Sequence, residues 1–280
     1  MSAAVRIFTA SSSATAPDEC AGHVLVSGSY GGEYNAWHAA KHGLRGVILN
    51  EAGVGYGNAG INGLPYLDRI GLPATTVDAF SGRIADAEDM LEHGIVSHVN
   101  SAALALGIEP GDRARTAAER MRSAPVIPAD NLPGIEGGKR FTISDNPGEP
   151  KVICLDAAPM LTPQDAGAIA ITGSHAALFR GKPDNVIGPQ LHAIFFNDAG
   201  VGKDGAGIAR LADLDTRRMA AGTVSARSAP IGNSRAAYEF GMLSHVNVAA
   251  SALGGKPGMP LREFVAALLA GAAANRGKSG

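Results

Sequence analysis

Residues 46–63 read GVILNEAGVGYGNAGING, and residues 193–210 read AIFFNDAGVGKDGAGIAR. Each stretch joins a short apolar run to an Asn–acid pair and then an Ala-Gly-Val-Gly turn, the pattern of a buried strand that ends in a tight loop. The displacement of 147 positions recurs further on, where Ser97-His98-Val99-Asn100 returns as Ser244-His245-Val246-Asn247 and ALGIEPG (105–111) returns as ALGGKPG (252–258). A unit written twice predicts two similar halves about a pseudo-two-fold axis, with a cleft where they meet.

The rest of each copy follows outward from that strand. In the first, VRIFTA (5–10), HVLVSGS (23–29), GVILNEAG (46–53) and ATTVDA (74–79) read as strands; in the second, KVICLDAA (151–158), AIAITGS (168–174), AIFFNDAG (193–200) and AGTVSA (221–226) do. Helical patterns lie between them over 33–42, 61–70, 86–93 and 113–121, with partners at 208–214, 233–240 and 261–269. Strands alternating with helices predict an α/β fold with a mostly parallel sheet in each repeat and right-handed crossovers. The first repeat covers 5–122, a Pro- and Gly-rich linker 123–150 with a short strand at 140–144, and the second repeat 151–270; the tail past 271 reads as mobile. The copies diverge after their second strand, where LFRGKPDNVIGPQ (178–190) carries prolines in place of a helix and predicts an irregular loop beside the cleft.

Bulk composition narrows the classes. A net charge of -2 gives no electrostatic reason to expect nucleic acid or an anionic membrane, and 5% aromatics argue against a base-stacking platform. No apolar run is long enough for a transmembrane helix. The start lacks the basic-then-apolar order of a secretory signal. Two cysteines, Cys20 and Cys154, fall at non-matching places, so a disulfide framework is not expected and a reduced, cytoplasmic setting is the default.

Ligands of parallel α/β sheets collect at the carboxyl ends of strands, and the unusual polar residues cluster there. Second-strand ends supply Gly28, Ser29, Tyr30 and Gly31 in one copy, and Gly173, Ser174 and His175 in the other. Third-strand ends supply Asn50-Glu51 and Asn197-Asp198, and fourth-strand ends supply Ser81 and Ser228. The duplicated SHVN predicts His98 and His245 near helix N-termini, where a depressed pKa keeps the ring neutral and able to take or donate a proton; in the alternative, Ser97 or Asn100 caps a helix and the histidine braces the core. Glu51 and Asp198 are candidate bases, or else acceptors for the turn that follows. Lys203, Asp204 and Arg210 replace Tyr56, Gly57 and Gly63, and Lys203 is a candidate anion binder.

SGSYGG (27–32) resembles the strand–elbow–helix of α/β-hydrolases of the prolyl-oligopeptidase kind, which implies Ser29 as nucleophile. Ser27 in the first glycine position and the internal duplication depart from that pattern; the alternative is a glycine turn whose amides cradle a carboxylate or phosphate. GSH (173–175) followed by NDAGVG (197–202) has the order of caspase-like folds, but glycine stands where their cysteine would, which excludes that chemistry. No HxH, HExxH, CxxC or Walker pattern occurs, and the glycine-rich turns after the third strands do not place GxGxxG where a dinucleotide fold needs it, so no metal or cofactor is expected.

The expected function is a small-molecule enzyme, a hydrolase of amide, imide or ester bonds. In it Ser29 or Ser174 serves as nucleophile or oxyanion support, His98 or His245 moves protons, and Glu51 or Asp198 orients the site. Gly28, Tyr30, Gly31, Asn50, Gly173, His175, Asn197, Lys203, Ser81 and Ser228 complete the candidate substrate contacts. The alternatives are an isomerase or lyase that uses the paired carboxylates and a non-catalytic ligand-binding protein. A homo-oligomer is the expected assembly.

Overall fold

The computed structural model describes residues 4–184 and 186–277. In the first half, β1 (Ile7–Ala10), β2 (Val24–Tyr30), α1 (Glu33–Ala40), β3 (Gly46–Asn50), α2 (Gly63–Arg69), β4 (Ala74–Val77), α3 (Ala87–His93), β5 (Val96–Val99), α4 (Ser101–Leu104) and α5 (Ala114–Met121) follow one another. The second comprises β6 (Arg140–Ser144), β7 (Val152–Leu155), β8 (Ile169–His175), β9 (Ala193–Asn197), α6 (Arg210–Thr216), β10 (Ala220–Val224), α7 (Ser234–Phe240), β11 (Leu243–Val246), α8 (Val248–Ala252) and α9 (Leu261–Gly277).

Two mostly parallel sheets result, ordered β1-β2-β3-β4-β5 and β11-β10-β9-β8-β7-β6. Their registers agree: Ile7 faces Val24 as Val152 faces Ile169, Tyr30 faces Asn50 as His175 faces Asn197, and Thr76 faces His98 as Thr223 faces His245. The Ser-His-Val of each SHVN motif therefore lies on an antiparallel edge strand, β5 or β11, and the helix starts only at the asparagine. The asparagine does the capping. Asn100 Oδ1 accepts from Ala103 N–H and Ala74 N–H, and Asn247 Oδ1 accepts from Ala250 N–H and Ala221 N–H, which ties each short helix to its neighbouring strand.

Alternation along the strands sends side chains to both faces of each sheet. Leu25, Val47 and Leu49 pack one face of the first sheet under α1 and α2, while Val24, Val26 and Ile48 pack the other under α3 and α5. Ile153, Ile194 and Phe196 in one layer, and Ile171, Phe195 and Phe264 in the other, repeat the arrangement in the second sheet. A fifth, smaller cluster (Ala52, Ile84, Ala85, Ala199 and Ile231) lies between the halves. Residues 272–277 of the tail expected to be mobile are instead the last turns of α9, and 278–280 lie outside the described residues; the run VAALLAGAAA (265–274) is rich in the strongest helix formers.

The halves meet backbone to backbone. Residues 52–55 and 199–202 all have positive φ, so each turn runs through four consecutive left-handed residues. A Cβ on Gly53 would sit 2.8 Å from Gly200 Cα, and one on Gly200 2.8 Å from Gly53 Cα. Tyr56 N–H donates to Ala226 O (2.7 Å) and Lys203 N–H to Ala79 O (2.8 Å). These contacts are reciprocal: each is made twice with the halves exchanged.

Candidate functional site

Two crevices flank the seam at equivalent places. The open one encloses about 830 Å³, and Tyr56, Gly57, Ala59, Asn62, Pro230 and Asn233 are among its lining residues. The other encloses about 100 Å³ between Arg83, Ile84, Asp86, Asp204, Ala206 and Ala209. The open crevice carries Tyr56, Gly57, Pro230 and Asn233 where the equivalent positions on the other side carry Lys203, Asp204, Arg83 and Asp86. Those charges close it. Arg83 Nη1 reaches Asp204 Oδ2 at 2.9 Å and Arg83 Nη2 reaches Asp89 Oδ1 at 3.0 Å, while Lys203 Nζ bonds both Asp89 oxygens at 2.8 and 3.0 Å. Lys203, expected to bind an anionic substrate, is thus committed to Asp89 across the seam. Burial pushes the Asp89 carboxyl up, but its bonds to Lys203, the Arg83 amide and the Arg83 guanidinium outweigh that and hold it below its ordinary value.

A deeper chamber of about 220 Å³ shares Tyr30, Tyr34 and Asp156 with the open crevice and extends it between β2 and β8. Here the structure brings four of the expected residues together: Ser29, Ser174, Tyr30 and His175, with Arg210 beside them. The serines are held alike. Ser29 Oγ accepts from Ser13 N–H (3.0 Å) and Ser174 Oγ from Ala158 N–H (2.9 Å), and neither hydroxyl has an imidazole partner among the described residues. Burial, reinforced by the Arg210 charge, lowers the His175 pKa to about 4, and Nδ1 accepts from Ala177 N–H. At neutral pH the ring is therefore uncharged, with its proton on Nε2. Burial raises the Tyr30 phenol well above its usual range, so it is a hydrogen-bond donor and not a phenolate.

Arg210 explains how the second half manages without a counterpart of α1. Its position corresponds to Gly63, where a Cβ would collide with Ala36 of α1. Arg210 is 3% exposed and grips Asp184 through Nη1 and Nη2 (2.7 and 2.8 Å) while donating to Ala177 O. Burial pushes Asp184 up, and the guanidinium and the Val186 and Phe179 amides bring it below its ordinary value. That ion pair pins the irregular stretch after β8, which the prolines predicted.

The remaining expected residues stand elsewhere. His98 and His245 line neither the crevices nor the chamber. His98 Nδ1 lies 3.4 Å from Glu51 Oε2 and 3.2 Å from Ser97 Oγ, whereas His245 Nδ1 is buried without a partner among the described residues. The Ser–His–acid grouping is thus not assembled; only its His98–Glu51 edge exists, outside the chamber. Asp198 Oδ1 accepts from Gly200 and Ala226 N–H, and Glu51 Oε1 from Ala79 N–H, so these acids brace the seam turns.

Asn50 and Asn197 are buried latches: each accepts from the amide two residues on and donates across to Gly82 O or Ala229 O. Ser81 and Ser228 close matching turns by accepting from Ile95 and Met242 N–H. Gly28 and Gly173 are small because the backbones at Ala85 and Gly232 press on them; Gly31 donates its N–H to Asn50 O and leaves no amide for a ligand. Both cysteines are buried, with thiols pushed up by desolvation to about 11 (Cys20) and about 12 (Cys154).

Sequence reasoning missed the wall of the open crevice. Three of the five tyrosines (Tyr30, Tyr34 and Tyr56) meet there with Phe141 of β6, a linker strand. Of these only Tyr30 is among the expected substrate contacts, and no local spacing links it to Phe141 of the linker. Among the described residues no group of three His, Cys, Asp or Glu could hold a metal ion, and no helix is long and apolar enough to cross a membrane. Comparison with family models, curated proteins and solved structures finds no match to this chain.

Proposed function

We propose that the protein binds a small polar metabolite in the open crevice and its inner chamber, between two halves descended from a duplicated α/β unit. The observation that carries this is the inequality of the two crevices: the seam turns beside them match, yet ion pairs and the irregular stretch after β8 fill one, while the other, walled by α1 and the linker strand, stays open at about 830 Å³. Clefts of that size that combine aromatic walls with a few polar groups are where proteins hold small ligands. The reciprocal seam contacts and matching registers support the duplication.

The test is capture of a ligand from a defined metabolite mixture by native mass spectrometry, compared with Ala59→Trp, which plugs the open crevice. Retention by the wild type and loss in the variant are expected. Equal retention by both would refute the reading.

Acyl hydrolysis is the second reading, carried by the Ser29, Ser174 and His175 cluster. Each serine hydroxyl, having accepted an amide, still has a hydrogen to donate, and the neutral His175 Nε2–H can polarise a carbonyl. It requires product release that Ser174→Ala and His175→Phe abolish; an unchanged captured metabolite would leave simple binding as the function. The paired acids Glu51 and Asp198 offer no support for an isomerase or lyase in this cleft, because neither lines the crevices or the chamber.

A further inference from the structure

We infer that the ligand of the open crevice is a planar aromatic or heteroaromatic compound that presents carbonyl or carboxylate oxygens, an inference that rests on the small-molecule reading above. Two independent features carry it, and both are absent from the closed crevice.

The first is the aromatic wall. Tyr34 and Tyr56 line the cavity with Phe141, and Tyr56 is 60% exposed. Tyr30 is seated by Gly232, whose φ of +85° and missing Cβ leave room for the phenol oxygen. At the equivalent positions the second half has His175, which lines the chamber, for Tyr30 and Lys203 for Tyr56. An aromatic left facing a cavity gains most from a flat partner, which it can meet in an offset stack.

The second feature is a pair of oriented donors. Asn62 Oδ1 accepts from Glu33 N–H (2.8 Å), and Asn233 Oδ1 accepts from Ala236 N–H (2.9 Å). With each carbonyl oxygen taken by a helix amide, the carboxamides cannot flip without losing that bond. Both Nδ2 groups are thereby fixed as donors and have no protein acceptor among the described residues. Their equivalents are Ala209, which has no donor, and Asp86, which has only acceptors.

Each acid of the crevice already has a protein partner. Asp156 accepts from Ser234 N–H and Oγ–H and from Lys139 N–H, Glu33 pairs with Arg69 and Glu136 with Lys139. Arg235 lines the same cavity and donates only its Nε, to Glu239. Its terminal nitrogens remain for a carboxylate. A flat ring that carries such oxygens matches the chemistry of these groups: aromatic faces on one side, and the donors of Asn62, Asn233 and Arg235 on the same cavity lining.

The experiment uses ligand-observed NMR on the full chain with two probe pools. One contains nicotinate, 4-hydroxybenzoate, orotate, uracil and hypoxanthine; the other contains succinate, glutamine and glycerol 3-phosphate. Saturable binding confined to members of the first pool is expected, weakened at least tenfold by Tyr56→Ala. Asn62→Asp and Asn233→Asp keep the cap acceptor and remove the donor, so each should weaken binding by about fivefold without changing thermal stability.

Binding of the aliphatic pool with indifference to Tyr56→Ala would overturn the ring assignment and leave the crevice as a ligand site. Ring binding that survives Ala59→Trp would overturn the assignment of this crevice. Absence of binding from both pools, together with failure to capture any metabolite, would bring down both readings.

Discussion

On one side of the seam Tyr56, Gly57, Pro230 and Asn233 border an open crevice; on the other, Lys203, Asp204, Arg83 and Asp86 occupy the equivalent positions and the space shrinks about eightfold. The strands of the two halves share register, so the difference lies in what is laid over them: four side-chain exchanges, together with α1 and β6 on the open side where the irregular stretch after β8 brings Leu178 and Gly181 to the closed one. A ligand site in such a molecule is therefore found by asking where the copies disagree, since the positions they share are spent on the frame: Asn50 with Asn197, Ser81 with Ser228, Asn100 with Asn247.

The comparison can be broken most severely at the device unique to the second half. Arg210→Ala should strand the Asp184 carboxylate under a loosened segment and cost about 3–5 kcal/mol of unfolding free energy in urea titrations. A loss of under 1 kcal/mol would mean the ion pair does not pin that segment. Next comes the point both crevices share. Gly200→Ala adds a Cβ at positive φ against Gly53 Cα, for an expected cost of about 2–4 kcal/mol, with Gly53→Ala equal to it within error. Unequal losses would show that the seam is not symmetric.

The closed crevice itself sets a smaller effect. Asp89→Asn removes the anion at its centre, at a cost of about 2 kcal/mol. Because the folded pKa of Asp89 lies below its ordinary 3.8, its contribution is complete above that value and is shed as pH falls through the folded one. The wild type should therefore lose stability below about pH 4 more steeply than the variant; parallel acid limbs would contradict the ion-pair account. Smallest is Arg83→Lys, which keeps the charge but loses the fork, with an expected cost of about 1 kcal/mol or less because the guanidinium is 36% exposed.

Much of the frame was legible in the sequence because parallel strands buried on both faces read as continuous apolar runs, and β1 to β4 and β7 to β10 lie where those runs do. Asp86 and Asn233 announced the starts of α3 and α7, and the prolines at 183 and 189 announced the break after β8. SHVN misled because four residues are too few to separate an edge strand from a helix entry: the asparagine caps as its type suggests, while Ser-His-Val pairs antiparallel with β4 or β10, a long-range choice no local pattern records.

The candidate site was legible only in part. Ser29, Ser174, Tyr30 and His175 sit at strand ends, and strand ends converge. By contrast, polar residues such as Asn197 and Asp198 looked reactive for the same reason they proved structural: a chain of left-handed turn residues needs acceptors for its exposed amides, and those side chains supply them. The aromatic wall was out of reach because Phe141 arrives from a linker strand that only the three-dimensional fold brings to Tyr34.

Gly53 and Gly200 touch with no side chain between them, and two main-chain hydrogen bonds flank the touch. Shutting the lobes around a guest like a clam would mean breaking that touch and both bonds and repacking the apolar cluster beside them. Whatever enters must fit a mould already cast, and its uptake should proceed in a single step whose rate rises linearly with concentration.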